Sequence, residues 1–359
     1  MRMKISLAVA ALAGLALGIG SAHAAPQADS LKTGTPTIKS AGPLAFGPEG
    51  ILFVGDPETA TIFAIDTGDR AGNGERPKIG GLDEKIASLL GVEAKQLRIV
   101  DMAVNPLSGN TYLSVSRGKG KDAQPVLIKV ERAGKIAEFP VKDVKFASTA
   151  LPKPAEGGKR QDAITHMAYV KGNLFVAGLS NEEFSSKLRS VPFPFKDGEK
   201  EAAVEFFHGS HGRFETASPV RTFVPLDING EANLLCAYTC TPLVKIPVKQ
   251  LEPGKKVKGT TVAELGNRNR PLDMIVYEKG GKEFILMANS ARGVMKIPTE
   301  GIDKVDAITQ HVNDKAGLTY ETIKDLKGVE HLDRFDKDHA LVLVHTDGGN
   351  YNLETIELP

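Results

Sequence analysis

One stretch of this chain is written twice. Ile285-Leu-Met-Ala-Asn-Ser-Ala-Arg-Gly-Val-Met-Lys-Ile-Pro298 aligns without a gap on Leu234-Leu-Cys-Ala-Tyr-Thr-Cys-Thr-Pro-Leu-Val-Lys-Ile-Pro247. Ile51-Leu-Phe-Val-Gly-Asp-Pro-Glu-Thr-Ala-Thr-Ile-Phe-Ala-Ile-Asp66 has the same form: an apolar strand, a small polar turn and a second apolar strand. A recurring unit of this kind implies copies of one small sheet stacked into a larger array.

The rest of the chain is compatible with that reading. Short apolar runs are broken by Gly, Pro, Asn and Asp, as expected of strands and turns. The best helix candidate, Asp83 to Leu90, is one or two turns long. Six innermost strands are expected to begin near Pro43, Ile99, Ile164, Val220, Pro271 and Val329. Each is followed by a second and a third strand, and fourth strands are expected at Lys135–Val141, Ala203–Phe207, Val257–Leu265 and Thr319–Leu326. Four antiparallel strands repeated six times describe an all-β, six-bladed β-propeller. A seven-bladed ring, with an extra blade drawn from around Val144 or Leu188–Phe207, is the alternative. The last unit ends at Pro359 after its third strand, so Thr35–Ser40 is expected to complete it from the other end and close the ring.

Residues 1–24 have the pattern of a secretory signal: Arg2 and Lys4, an apolar run from Ile5 to Gly20, and Ala22-His23-Ala24 as a small-x-small cleavage site. Residues 25–359 are then a single propeller domain, secreted or periplasmic, with no membrane span expected. The full chain carries 45 basic and 44 acidic side chains; losing Arg2 and Lys4 leaves a net charge of −1. No basic stripe is present to neutralise phosphates, so nucleic acid is not an expected partner. The absence of Trp argues against WD-type repeats.

Leu44-Ala-Phe-Gly-Pro-Glu-Gly-Ile-Leu-Phe-Val-Gly-Asp56 resembles the repeat of NHL-type and gluconolactonase-type propellers. The resemblance implies a fold lineage. It also implies a divalent metal held by acidic and amide side chains at the channel mouth, as in those lactonases. Arg270-Pro-Leu-Asp-Met274 only loosely echoes a Pro-Asp-Gly-Met element of that family. It is offset by one residue and lacks the Gly, so no ligand role is carried over.

Topology narrows where chemistry can sit. In an up-and-down blade, the turn between strands two and three, the link to the next blade and the start of each innermost strand share one end. Aligning the innermost strands puts Asp101, His166, Asp273 and His331 at one position in four units. Two His and two Asp around one axis form a nitrogen and oxygen set suited to a divalent metal. They equally suit a water-filled channel whose polar residues bond the backbone. His166 and His331 are candidate ligands, and Asp101 and Asp273 candidate ligands or bases. The segment His208-Gly-Ser-His211-Gly-Arg-Phe-Glu215-Thr-Ala-Ser-Pro-Val-Arg221 supplies His208 and His211 as further metal ligands. It also supplies Arg213 and Arg221 as grips for a carboxylate or phosphate. Asn289 and Arg292, in the most regular repeat, are further candidates for substrate contact.

Cys236 and Cys240 are the only cysteines. Three arrangements are open: a turn disulfide, two free thiols, or Cys240 as a metal ligand or reactive group, which would favour copper or zinc over calcium. Signatures for nucleotide binding, the His-Glu-x-x-His zinc site, the nucleophile elbow and covalent haem are absent. Two functions follow: a metal-dependent hydrolase of small esters or lactones, using zinc, copper or calcium; or a non-catalytic platform for a partner protein, a sugar or a metal.

Overall fold

The computed structural model describes residues 30–196, 199–240 and 242–359; the signal expected at 1–24 lies outside them. Among the described residues, six sheets form a six-bladed propeller, antiparallel throughout except where Lys255–Lys258 pairs in parallel with Ala202–Glu205. Numbered by chain order, blades 1 to 6 have their innermost strands at Leu44–Phe46, Leu97–Val104, His166–Val170, Thr222–Ile228, Pro271–Lys279 and Val329–Arg334. The second strands are where the apolar runs predict them, for example Ile51–Asp56, Glu231–Ala237 and Lys282–Asn289. Ile51–Asp56 is buried along its whole length, because a blade is covered on both faces by its neighbours. Such a strand reads as a continuous apolar run rather than an alternation.

Chain order is not ring order. Apolar cores fill the seams between blades, and their membership gives the circle 1-3-4-5-6-2. Phe53 of blade 1 packs with Met167 and Val176 of blade 3, and Leu341 of blade 6 with Ile99 and Leu113 of blade 2. Leu52 of blade 1 closes the circle against Ala103 and Tyr112 of blade 2. The chain builds three strands of blade 1, steps back to build blade 2, and returns with Val144–Ala150 to supply blade 1 with its fourth strand.

The ring is therefore closed differently from the expectation. The fourth strand of blade 6 is Lys78–Ile79, paired with Leu353 and Glu354. It lies on the segment that steps back, where the sequence shows only a loop. Residues 35–40 form no strand; Lys32–Gly34, just before them, pairs with Val144–Phe146 on the outer edge of blade 1. Helix Leu82–Leu90 follows the closing strand and places Leu82 and Ile86 in the core between blades 6 and 2. It stops at Gly91, whose φ of 68° is the left-handed conformation that ends helices. Among the described residues no helix is long and apolar enough to cross a membrane.

The crossover is anchored by Asp69, which follows the third strand of blade 1. Its carboxylate accepts hydrogen bonds from Ser108 Oγ (2.9 Å), Asn110 Nδ2 (3.0 Å) and Tyr112 OH (3.1 Å), all on blade 2, with Lys129 Nζ at 3.5 Å. Burial alone would raise its pKa. The bonds from Asn110, Ser108 and Tyr112 and the Lys129 charge outweigh that and hold it below the ordinary carboxylate value.

Candidate functional site

The innermost strands of blades 2, 5 and 6 carry the same irregularity. Each shifts register by one residue, between Ile99 and Asp101, Pro271 and Asp273, and Val329 and His331. A bulge of this kind re-aims the side chain that follows it. It turns Asp101, Asp273 and His331 to one place, where a ligand atom of each lies within 4.8 Å of the others. His331 Nδ1 is 3.5 Å from Asp101 Oδ1 and 3.9 Å from Asp273 Oδ2. It is buried and has no hydrogen-bond partner among the described residues. In ring order these are three adjacent blades.

His166 occupies the equivalent position on blade 3, across the channel from blade 6. It stands outside that cluster and meets Phe223 edge-on, with ring centroids 4.8 Å apart. Burial lowers its pKa, against a smaller pull from Asp101. For Asp273, burial and the neighbouring Asp101 charge raise the pKa well above the ordinary value. The His331 pKa is pulled down by burial, but the Asp101 and Asp273 carboxylates leave it raised overall.

The two aspartates also hold blades together. Asp101 accepts from Met102 N (2.8 Å) and, across the seam, from Leu44 N of blade 1 (2.7 Å). Asp273 accepts from Met274 N (2.9 Å) and from Leu332 N of blade 6 (3.1 Å). Asp333 repeats the pattern with Arg334 N (2.7 Å) and Val104 N of blade 2 (2.7 Å). Burial raises its pKa to about 6. The same staple thus closes three consecutive seams. Asp333 escapes the register alignment, although it lies two residues after His331 and so on the same face of the strand.

These side chains form the waist of the channel. Above them, at the end where innermost strands begin, is a cavity of about 380 Å³ lined by Arg98, Arg221, Arg270, Asp162, Glu330 and the waist residues. Below is a second chamber of about 330 Å³ with walls such as Phe46, Met167 and Met274. Arg221 Nη1 pairs with Asp162 Oδ1 at 2.8 Å. Arg270 lines the same wall; partial desolvation there and the Arg221 charge lower its pKa. The sequence reading misses Arg98 and Arg270, because it places anion-gripping arginines only in the 208–221 loop.

His208 and His211 are not part of the waist. With Cys240 they make a second cluster, again with a ligand atom of each within 4.8 Å of the others. His208 ends the fourth strand of blade 3, and Cys240 lies in the turn between strands two and three of blade 4, at the same end of the molecule as the upper cavity. The imidazoles lie 3.8 Å apart, centroid to centroid, tilted by 36°. Glu215 Oε1 is 3.1 Å from His208 Nδ1 and 2.6 Å from His211 Nδ1, and its other oxygen is bonded by Ser218 Oγ. Burial would raise Glu215, but the nearby His208 and the hydrogen bonds from Ser218 and His211 bring it down to about 2. Cys236 and Cys240 are both free thiols, so the turn disulfide is not formed. Burial raises the Cys236 thiol, which leaves it a neutral core side chain.

The remaining candidates have local duties. Asn289 Oδ1 accepts from Ala291 N and Arg292 N, and its Nδ2 donates to Asn269 Oδ1. Arg292 bonds Asn267 O at 3.1 Å and faces Asp314 at 3.4 Å. Arg213 is largely exposed and lies 3.9 Å from Glu215.

No protein-family model matches the chain, and no curated protein matches it by sequence. Similar solved structures include the PQQ-bound aldose sugar dehydrogenase of Streptomyces coelicolor, with 13% identity over 91% of this chain and 96% of that one, TM-score 0.35. A proposed oxidoreductase (glucose dehydrogenase) of Thermus thermophilus gives 12% over 91% and 100%, TM-score 0.36. An engineered GH43 glycoside hydrolase with endo-xylanase and exo-arabinofuranosidase activity gives 10% over 74% and 51%, TM-score 0.36. At such low scores these likenesses say nothing of what this chain binds or does.

Proposed function

We propose that the channel mouth is a binding site for a small anionic molecule, and that Asp101, Asp273 and His331 hold a divalent metal ion beneath it. The observation that carries this is the buried Nδ1 of His331, which makes no hydrogen bond among the described residues and lies 3.5 and 3.9 Å from two carboxylates at the floor of a cavity. A donor set of one nitrogen and two carboxylates suits zinc, manganese or calcium. The cavity has the size of a small-molecule site, and Arg270 and Arg221 on its wall suit a carboxylate or phosphate. A bound metal ion supplies Lewis-acid polarisation of a carbonyl, so the reaction class favoured here is hydrolysis of a small ester or lactone bearing a negative charge. The protein's own residues position the anionic end at the arginines and keep the aspartates fixed by their backbone bonds. The signal pattern at 1–24 supports export to the periplasm or beyond; mature protein beginning at Ala25 would establish it.

A binding platform is the second reading. It is favoured by the fact that both aspartates already accept two backbone N–H bonds, a role that needs no metal. Manganese titration followed by electron paramagnetic resonance separates the two. Uptake of one ion, abolished in His331→Ala, is the expected result, with hydrolysis of charged lactones lost in that variant and weakened about tenfold or more in Arg270→Ala. Wild-type protein that binds no divalent ion at the waist removes the metal reading.

A further inference from the structure

The rim cluster carries more than the channel reading uses. His208 is 2% exposed, and both of its ring nitrogens are buried with no hydrogen-bond partner among the described residues. An imidazole placed in the interior with its nitrogens unanswered costs free energy unless something else occupies those positions. His211 Nδ1 is hydrogen-bonded to Glu215 Oε1 at 2.6 Å, and His208 Nδ1 lies 3.1 Å from the same oxygen without a hydrogen bond to it. A carboxylate accepting Nδ1–H from an imidazole fixes the tautomer that leaves Nε2 as a lone pair, and it is the arrangement that orients metal-binding histidines. Here one carboxylate faces two imidazoles. The third member, Cys240, is part-exposed, and its backbone N–H is held by Asn269 O at 2.8 Å. Its thiol brings the ligand atoms of the cluster within 4.8 Å of one another.

We propose that His208, His211 and Cys240 form a second metal site, specific for a thiophilic ion of the zinc and copper(I) class, with Glu215 as the residue that positions the His211 imidazole. The site is independent of the channel. Its sulfur ligand excludes calcium, magnesium and manganese, which suit the oxygen-rich waist. Two imidazoles and a thiolate leave a tetrahedral ion one position for water or an external ligand. Binding requires the thiolate, so the Cys240 proton is released to solvent as the metal–sulfur bond forms.

The test uses the full mature chain, stripped of metal with a chelator and titrated in three arms. Cobalt(II) reports the ligand set by absorption: one equivalent should give the intense visible bands of a tetrahedral ion and a sulfur-to-cobalt charge-transfer band. Zinc, competed against a chromophoric chelator, and copper(I), competed against a copper(I)-specific one, show which ion is preferred. In Cys240→Ser the charge-transfer band should vanish and affinity fall by at least about 100-fold. Glu215→Gln should weaken binding about 10–100-fold, the range for loss of an outer partner. His331→Ala should leave the cobalt spectrum unchanged, which keeps failure at the waist distinct from failure here. Should the buried His208→Ala variant not fold, the half-exposed His211→Ala and Cys240→Ser variants still decide the matter. The proposal is overturned if, with the waist disabled by His331→Ala, none of the three ions binds at one equivalent, or if binding there is indifferent to Cys240→Ser.

Discussion

The waist and the rim each gather histidine with anionic or thiol partners, yet they are built in opposite ways. The waist is a product of the repeat. Asp101, Asp273 and His331 meet because three adjacent blades have the same bulge at the same position, and both aspartates also staple a neighbouring blade through backbone N–H groups. The rim is a product of irregularity. His208 and His211 belong to one non-repeated loop and Cys240 to a turn. The carboxylate of Glu215, from the same loop, bonds His211 and lies 3.1 Å from His208. Asp101 and Asp273 at the waist are thus used by the fold whether or not they bind anything. At the rim, His211 is half-exposed and Cys240 part-exposed, and neither bridges a seam as the aspartates do.

A carboxylate with a purely structural role sets the scale for that contrast. Asp69 is answered by four groups within the protein and touches neither cluster. Asp69→Ala leaves Ser108, Asn110, Tyr112 and Lys129 around an empty position and should cost about 3–5 kcal/mol, read as a fall in thermal midpoint. Its acid behaviour follows from the sign of its shift. The folded state holds Asp69 below the unfolded value, so its contribution is complete above about pH 4 and is lost as pH falls through the lower, folded pKa. The stability gap between wild type and Asp69→Asn should therefore narrow on acidification; a gap that widens would mean that Asp69 is not the ionised group drawn here.

Asp101→Ala comes next in size. It leaves Leu44 N and Met102 N without their acceptor at a seam and should cost about 2–3 kcal/mol. His211→Ala, at a half-exposed position, should cost less than about 1 kcal/mol in metal-free protein. Equal losses in the two variants would erase the distinction between a waist that the fold needs and a rim that it does not.

The blades are legible in the sequence because a strand covered on both faces must be apolar throughout, as Ile51–Val54 and Ile285–Ala288 are. Their order around the ring is not. Val144–Ala150 has the mixed burial of an outer strand, and nothing local says whether it adds to blade 2, which precedes it, or to blade 1. That choice is made by which sheet edge is left open. Lys78–Ile79 is two residues long and carries no pattern at all. The site divides along the same line. Register alone puts Asp101, Asp273 and His331 at one height, whereas the insertion of blade 1 that moves His166 away from Asp101 depends on ring order. Arg98 and Arg270 lie at the converging end, where their strands begin, and could be marked from that position; Asp333 could be found by period two. The partnership of His208, His211 and Cys240 joins two blades, so no spacing within the loop could show it.

The smallest effect is the most direct measure of separateness. Asp101 and His208 belong to different clusters and lie on blades that are not adjacent, blade 2 and blade 3 flanking blade 1. Changes at independent sites add to within about 0.5 kcal/mol, whereas members of one network couple by more. In metal-free protein, Asp101→Asn and His208→Gln should therefore combine additively in urea unfolding, while His208→Gln and Glu215→Gln, which alter one network, should not. Coupling above about 1 kcal/mol between Asp101 and His208 would show that waist and rim form one connected system, and the two would then have to be assigned a single ligand rather than two.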